Sequence, residues 1–476
     1  MGVLFFSTCL NLHSRIQFIM IGTKIFNDNW TLEDQINHYR HVKEMAELVL
    51  TCTPPYVLGI HGDWGVGKTS FLRKLHLYLS GEGCGYKNAK TLYEAHFKTE
   101  CTKQENSEVI WFDAWHYQFE QNPAVALLNE IRSHFTLSKN FHDRAKKLGY
   151  AALMSLDGLT QNIGVSPGKI MAAGEKWEKE HFTQPLPSQM VRDLMENAIQ
   201  TLLGKGANKR LIILVDDLDR CTGPVAFRFL EAMKVYFPLS NCVFVLGLDI
   251  RHIRRAVAAE LKKSGLIPTD IDEKDRQTKA ELYADDYLYK IFQYVSHLNY
   301  DTEYEKYLKH LLENSGVEDW ETWSKKIVDF KLLPPNPRKI KLFVNGFSRY
   351  IEQLKKRIEK MPGKQISLDK ELALIFAYLK INAHDLYRIL IHEPDFWENR
   401  LKEFCTSGET NDHWALEKLT LLDESSETNS SDETPEYEYQ SLFQDPSDEG
   451  LFRAAGMIRK RKEPVTDDEF NLYLFR

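Results

Sequence analysis

A long hydrophobic run is the first thing that the sequence lacks. Nowhere in its 476 residues do about eighteen apolar residues follow one another, the length that a helix needs to cross a bilayer. The nearest approach, at residues 148–168, carries Asp157, Gln161 and Asn162 near its middle. We therefore expect a protein without a membrane span.

Paired cysteines and a secretion signal are missing as well. The seven cysteines include no C-x-x-C pair and no histidine at zinc-ligand spacing, a pattern typical of buried thiols in a reducing compartment. Residues 3–6 are apolar, but no basic residue precedes them and no small-residue cleavage site follows, which argues against a secretory signal. We predict a cytoplasmic protein, with Met20 as an alternative start and residues 1–25 as an uncertain N-terminal extension.

The chain also lacks a general excess of basic residues. Its formal net charge is −7. Residues 423–449 hold ten acidic residues and no Lys or Arg, so removing those ten charges leaves a formal +3 on the remainder. A nucleic-acid-binding protein usually shows a stronger basic surface. The basic segment 325–364 keeps a nucleic-acid or acidic partner possible, although a solvated helix face is the favoured interpretation.

What the first half does contain is a set of short apolar runs that alternate with helical spacing. Four continuous runs are typical of strands covered on both faces, and they lie at residues 56–60, 109–112, 211–215 and 241–248. The alternation predicts an α/β fold, a parallel sheet with helices on both faces. From residue 283 onward the apolar spacing is helical, which predicts an α-helical second half.

The first strand runs into a glycine-rich loop. The segment Gly62-Asp63-Trp64-Gly65-Val66-Gly67-Lys68-Thr69 matches G-x-x-x-x-G-K-[ST] at every fixed position. Glycines let backbone N–H groups turn toward a phosphate, and the helix that begins near Lys68 adds its positive dipole end. We predict that this loop and Ser70 bind a nucleotide, with Lys68 on the β- and γ-phosphates and Thr69 on Mg²⁺. The simpler interpretation is a glycine-rich turn.

Carboxylates follow two of the other predicted strands. Asp216 and Asp217 end the run "LIILVDD", so Asp216 is the candidate to hold Mg²⁺ and Asp217 the candidate to orient the attacking water. Asp249 follows the next strand and could touch the γ-phosphate or cap the helix after it. For Asp219, helix capping is an equal alternative.

Two arginines are candidates to complete a phosphate site. Arg220 directly follows the acidic strand, and Arg338 lies in "PPNPRKIKLF". Arginines at such sites often come from a neighbouring subunit or from a helical lid. An exposed salt bridge is the alternative for each of them.

Taken together, the motifs resemble the KAP family of P-loop NTPases, a branch near the STAND and AAA+ ATPases. The resemblance spans residues 26–350 and is carried, in this order, by "GIHGDWGVGKTSFLRKL", "VIWFDAWHY", "LIILVDDLDRC", "VFVLGLD", "YLYKIFQ" and "LLPPNPRKIKLFVNGF". It implies an ASCE-type core in which the acidic strand lies beside, but not directly after, the phosphate-loop strand in the sheet.

The resemblance also assigns roles by position. Lys68 and Thr69 match the nucleotide and Mg²⁺ contacts, Asp216 with Asp217 the acidic pair, and Arg338 the arginine of the helical lid. The family's aromatic motif after the second strand corresponds to Ala114-Trp115, where we favour a core position for Trp115. Asp113 stands where the family more often has Asn, a departure from the family pattern.

The predicted domains follow from these motifs. After the extension 1–25, a P-loop NTPase core spans 26–300 and includes a mostly helical insert at 134–187. An α-helical lid or C-terminal domain spans 301–422. An acidic linker at 423–449, predicted to be disordered, leads to a tail segment at 450–476.

The predicted function is that of a KAP-like ATPase without a transmembrane insert. ATP and Mg²⁺ would drive a switch in a homo-oligomer, and an effector protein is a possible partner. The family's relatives are often predicted signalling or defence ATPases of bacteria, which suggests bacterial signalling or anti-phage defence as the context. Two alternatives stay open: a non-hydrolysing, nucleotide-gated scaffold that recruits an effector, and a P-loop kinase of nucleosides or polynucleotide ends.

Overall fold

A computed structural model describes most of the chain in two compact units. The described residues are 24–119, 126–127, 130–131, 134, 196, 199, 203, 209–236, 241–268, 272–298, 303–361, 368–392 and 467–475. Those within Trp30–Asn299 form one unit, here called the sheet unit. Those within Met1–Asn29 and Tyr300–Arg476 form the other, here called the helical unit. No helix among the described residues has the length and apolar character to cross a membrane.

The sheet unit contains five strands, all parallel, with helices between them. In chain order its elements are α1 (His38–Thr51), β1 (Tyr56–His61), α2 (Lys68–Ser80), α3 (Ala89–Phe97), β2 (Ser107–Asp113), β3 (Arg210–Asp216), a 3₁₀-helix (Leu218–Arg220), α4 (Gly223–Tyr236), β4 (Cys242–Leu248), α5 (Ile250–Lys263), α6 (Glu273–Ile291) and β5 (Tyr294–His297). The predicted α/β fold with a parallel sheet is confirmed.

The order of the strands corrects one expectation. The sheet runs β2-β3-β4-β1-β5, so β4 lies between the phosphate-loop strand β1 and the acidic strand β3, which are not neighbours. Since all pairings are parallel, the carboxyl ends of the strands meet at one edge of the sheet. The polar residues that end the strands therefore come together there.

The core of the sheet unit has two halves, one on each face of the sheet. Ile213, Val215 and Phe244 pack on one face with α4 to α6. Leu58, Leu214 and other residues pack on the opposite face with α1 and α2. Because β3 and β4 are covered on both faces, their sequences are continuous apolar runs, as parallel strands require.

The fifth strand was not predicted, because residues 283–294 and beyond were expected to be helical. β5 has only four residues, includes Ser296 and His297, and lies at the edge of the sheet beside β1. A short edge strand with one covered side needs no long apolar run. The sequence pattern therefore carries no signal that separates it from the end of α6.

The helical unit is built from α7 (Tyr304–Asn314), α8 (Trp320–Asp329), α9 (Pro337–Glu359), α10 (Lys370–Asn382), α11 (His384–His392) and α12 (Asp467–Tyr473). Asn336 caps α9 by accepting from the backbone N of Arg338 and Lys339, and Pro337 occupies its first turn. Helix α12 packs into this unit, where the hydroxyl of Tyr350 donates to the carbonyl of Tyr473 at 2.8 Å.

Parts of the predicted domain plan lie outside the described residues. These include nearly all of the insert 134–187, all of the acidic linker 423–449, and most of the tail 450–476. The domain boundaries stay predictions.

The aromatic stack between β2 and α4 gives a test of the sheet-unit core. Phe229 is 1% exposed and stacks on Phe112 with ring centroids 5.6 Å apart. Phe229→Ala should lower the free energy of unfolding by about 3–5 kcal/mol, since truncation of a buried Phe leaves a cavity. Phe119→Ala, at a side chain 91% exposed, should change it by less than about 0.5 kcal/mol. Urea denaturation followed by circular dichroism measures both, and equal effects would contradict the packing described here.

Candidate functional site

The loop between β1 and α2 turns in a way that its glycines permit. Gly67 has φ 102°, a conformation that other residues rarely adopt, and a Cβ there would lie 3.2 Å from Cε1 of His38. A Cβ on Gly62 would lie 2.5 Å from Cγ1 of Val66. α2 begins at Lys68, so the loop leads its backbone N–H groups to a helix N-terminus, where anions bind.

Lys68 lies at the start of α2 with its ammonium inside the loop. The residue is 7% exposed. Its Nζ donates to the carbonyls of Gly62 at 2.7 Å and Asp63 at 3.3 Å, and it lies 3.1 Å from Oδ2 of Asp219. The positive charge is thus held at the mouth of the glycine loop by three protein oxygens. Ser70, also in the first turn, accepts from the backbone N of Thr31 at 3.1 Å.

Asp216 ends β3 with a carboxylate that the described residues do not fully satisfy. The residue is 3% exposed, and its Oδ1 is buried without a hydrogen-bond partner among the described residues. Burial, and then the charge of Asp217, raise the pKa of the Asp216 carboxyl, while a hydrogen bond with the Thr69 side chain acts in the opposite direction. A buried acceptor without a donor is costly, which indicates that another group belongs at this oxygen.

The space next to Asp216 is kept by a glycine in the neighbouring strand. A Cβ on Gly247 of β4 would lie 3.4 Å from Oδ1 of Asp216 and only 2.7 Å from Cδ1 of Leu72. A buried carboxylate and the Thr69 hydroxyl are hard oxygen ligands, the kind that Mg²⁺ takes. The residues present therefore fit a Mg²⁺ ion.

Asp217 and Arg220 are joined to each other. Asp217 has φ 57°, and its Oδ1 lies 2.9 Å from Nε of Arg220. Burial raises the pKa of the Asp217 carboxyl, and the charge of Arg220 opposes this. The guanidinium also lies over the ring of Trp115, 5.5 Å from its centroid. For Arg220 the structure thus shows a salt bridge at the site.

The observed position of Trp115 differs from the prediction, because we favoured a core position for it and its side chain is partly exposed. Its side chain is 45% exposed, whereas Ala114 is 5% exposed. The backbone explains the difference: Ala114 continues from β2 and donates its N–H to the carbonyl of Asp216 at 3.0 Å. Trp115 follows in the turn, where its ring faces Arg220.

Asp249 takes the capping position. Its Oδ1 accepts from the backbone N of Arg251 at 3.0 Å, at the start of α5. The Arg251 guanidinium binds both oxygens of Asp249 and reaches Oδ1 of Asp63 in the phosphate loop at 2.5 Å. Burial alone would raise the pKa of Asp249, but the bonds from Arg251 hold it below its ordinary value.

Two site residues were missed or misread from the sequence. Asp219 does not cap α4: it lies inside the 3₁₀-helix and bonds to Lys68, Trp64 and the backbone of Asp249. Gly247 was not singled out at all. A third aspartate three residues after Asp216, and a glycine within a buried strand, are the signals that could have found them.

Arg338 belongs to the helical unit, in the first turn of α9. Its Nε lies 2.5 Å from Oδ2 of Asp28 in the same unit. Its role as a lid arginine stays a prediction from the resemblance. The structure therefore brings together, in the sheet unit, all of the candidate site residues except Arg338.

A protein-family model matches the part of the chain that carries this site. The model of the KAP family P-loop domain matches residues 39–354, more than half of the chain. An uncharacterized protein of Methanocaldococcus jannaschii is 24% identical over 165 residues, covering 27% of this chain and 84% of that protein. Among solved structures, the Aeropyrum pernix ORC2 protein (ADPNP–ADP complexes) is 11% identical, covers 87% of this chain and 86% of its own, and has a TM-score of 0.34.

Gly247 gives a test of the space beside Asp216. Gly247→Ala should lower the free energy of unfolding by about 1–3 kcal/mol, because the added methyl overpacks against Leu72. Gly223→Ala is the matched control: its Cβ would meet Ala256 at an ordinary 3.4 Å, so stability should hold or rise by up to about 1 kcal/mol. Urea denaturation compares the two variants. If Gly247→Ala is as stable as the wild type, β4 does not approach α2 as closely as described.

Proposed function

Since this chain belongs to the KAP family of P-loop NTPases, we propose that it binds ATP with Mg²⁺ at the loop Gly62–Thr69 and hydrolyses it as a nucleotide-driven switch. The observation that carries the proposal is the Oδ1 of Asp216, which has no hydrogen-bond partner among the described residues and is buried beside Thr69 in a space that Gly247 keeps. A glycine-rich turn without a ligand would give no reason for such an oxygen.

The residues of the loop and of the end of β3 would have different roles in ATP binding and hydrolysis. The backbone amides of the loop and the Lys68 ammonium would hold the β- and γ-phosphates and neutralise their charge. Thr69 and Asp216 would hold Mg²⁺, which supplies charge neutralisation across the phosphate oxygens when bound. Asp217, one residue beyond the strand end, would orient the attacking water and accept its proton.

One observation favours a second candidate, the binding-only scaffold that recruits an effector. Arg220 holds one oxygen of Asp217 in an ion pair at 2.9 Å, and that oxygen is then engaged in a contact other than with water. If this pair persists with nucleotide bound, ATP would be held without rapid turnover. Nothing in the described residues favours the P-loop kinase. A context in bacterial signalling or anti-phage defence is suggested by the family resemblance alone.

Asp217→Asn separates the switch from the scaffold. The variant keeps the shape of the side chain but loses the proton acceptor, so ATP hydrolysis should fall by about 10²–10⁴-fold while the Kd for ATP stays within a few-fold of wild type. Phosphate release and isothermal titration calorimetry measure the two quantities.

Two further variants serve as controls for that experiment. Lys68→Ala should weaken ATP binding itself by about ten- to hundredfold, because a charge-assisted hydrogen bond to phosphate is lost. Asp286→Asn, at an exposed position of α6, should match the wild type in both measurements. Wild-type protein that binds ATP but hydrolyses no more than Asp217→Asn would favour the scaffold. Hydrolysis that survives Lys68→Ala unchanged would count against both candidates.

Assembly is the other part of the proposal. An arginine from a neighbouring copy often completes such sites, so we expect ATP to shift the protein toward a homo-oligomer. At an ATP concentration near the wild-type Kd, light scattering should show a larger mass with ATP and Mg²⁺ than without, and the weaker binding of Lys68→Ala should remove most of the difference. A mass that stays constant with saturating ATP would remove nucleotide-driven assembly from the proposal.

A further inference from the structure

Asp219 joins three parts of the site through one oxygen atom. Its Oδ2 lies 3.0 Å from Nε1 of Trp64, 3.1 Å from Nζ of Lys68 and 2.7 Å from the backbone N of Asp249. The side chain is 1% exposed, so these donors, rather than bulk water, compensate its charge. Trp64 and Lys68 belong to the phosphate loop, and Asp249 caps α5. A single carboxylate oxygen thus connects the loop to the end of β4.

The ammonium of Lys68 is fully engaged in this arrangement. It has three N–H donors, and within the described residues Nζ meets three oxygens, the carbonyls of Gly62 and Asp63 and Oδ2 of Asp219. A phosphate oxygen that binds Nζ must therefore replace one of them. Asp219 is the acceptor that gives way most readily, because its negative charge and that of the phosphate repel each other.

We propose that Asp219 is a positioning residue that holds Lys68 in the loop, yields it to the nucleotide phosphate, and transmits this exchange to Trp64 and to the start of α5. The inference rests on the proposed binding of ATP at Gly62–Thr69. Once the ammonium turns to phosphate, Asp219 keeps two donors, the indole N–H of Trp64 and the backbone N–H of Asp249. Its full charge then falls on these two bonds, which strengthens them.

A second link ties the same two elements together outside Asp219. Arg251, in the first turn of α5, binds Asp249 and also Asp63 of the phosphate loop. A movement of the Asp249 backbone would therefore also move Arg251. Through Arg251, the same movement would reach Asp63 in the phosphate loop. α5 is in turn joined to α6 by Arg254, whose Nε and Nη2 donate to the two oxygens of Asp285 at 2.7 and 2.9 Å.

Asp219→Asn tests the exchange. The amide oxygen can still accept from Trp64 and from Asp249, but the charge that competes with phosphate for Lys68 is gone. The Kd for ATP should fall about tenfold, since one charge-assisted competitor is removed. At the same time kcat should fall, because Lys68 loses the carboxylate that draws it back when phosphate leaves, and only the carbonyls of Gly62 and Asp63 still hold it. Titration calorimetry measures the tighter binding and phosphate release measures the slower turnover, a combination that a merely structural role would not produce.

Asp34→Asn is the matched control. Asp34 also carries a buried carboxylate that accepts backbone N–H groups, from His38 and Tyr39, and also faces a lysine of α2, with Oδ1 3.6 Å from Nζ of Lys74. It makes no contact with Lys68 among those described. Asp34→Asn should lower stability without tightening the binding of ATP.

The outcomes separate the two proposals. Tighter ATP binding with lower kcat in Asp219→Asn alone supports the inference. Unchanged or weaker binding, or equal tightening in Asp34→Asn, overturns it and leaves the proposed ATP site standing. Wild-type protein that binds no ATP overturns the proposed function, and the inference with it.

A measurement on the wild type keeps the proposal testable if Asp219→Asn does not fold. Trp64 is 54% exposed, and the exchange strengthens the hydrogen bond from its indole N–H to Asp219. Inorganic tripolyphosphate should therefore shift the tryptophan emission of the wild type, and the shift should be absent in Trp64→Phe. Binding of tripolyphosphate in the calorimeter without a Trp64-dependent change in emission would overturn the relay.

Discussion

A lysine ammonium and four aspartates share a region of the protein from which water is nearly excluded, and the rest of the site is arranged around that constraint. Lys68, Asp216 and Asp219 are each almost fully buried, and Asp249 is only slightly more exposed. Charges moved out of water cost several kcal/mol each unless partners compensate them. Lys68 and Asp219 compensate each other, Asp249 has Arg251, and Asp217 has Arg220. Asp216 has one oxygen that no described donor meets. The negative charge that lacks a compensating partner among the described residues therefore lies next to Thr69.

The backbone makes this concentration of charge possible. Parallel strands end at one edge of the sheet, and the order β3-β4-β1 places β4 between the acidic strand and the phosphate loop. β4 can fill that position only because residue 247 is glycine, which leaves room for Leu72 and for the Asp216 carboxylate. Beneath the loop, His38 packs against Gly67 and lies 3.1 Å from Lys74. Burial lowers the pKa of Lys74 to about 8 against the opposing charge of Asp34. A second buried ion pair, Lys74 with Asp34, therefore lies beneath the phosphate loop.

Much of this could be read from the sequence, and the limits have physical causes. The loop and the acidic strand are local patterns: the spacing from Gly62 to Thr69 and the apolar run before Asp216 each fall within ten residues, and both predict where chemistry lies. Asp219 was undervalued because its partners are remote, Asp249 thirty and Trp64 155 positions away, and no local pattern records such a contact. Trp115 was misplaced because large aromatic residues are usually buried, whereas here the turn after β2 presents the ring to Arg220. The strand order could not be obtained from spacing, since β4 follows β3 in the chain yet pairs with both β3 and β1.

The contacts between the loop and α5 give the site a way to act beyond itself. Helix α5 begins at Ile250, directly after Asp249, whose carboxylate caps the first turn and whose backbone N–H donates to Asp219. Arg251 binds the loop at Asp63, and Arg254 binds α6. A packed helix moves as a rigid body, because its interior is too dense to absorb a shift gradually. When a phosphate replaces Asp219 as the anion that neutralises Lys68, the N-terminus of α5 would therefore shift first. The shift would then pass along α5 to α6. A switch needs an element that the nucleotide biases between two positions. Among the described helices of the sheet unit, α5 is linked to the phosphate loop by two contacts, one through Asp219 and one through Arg251.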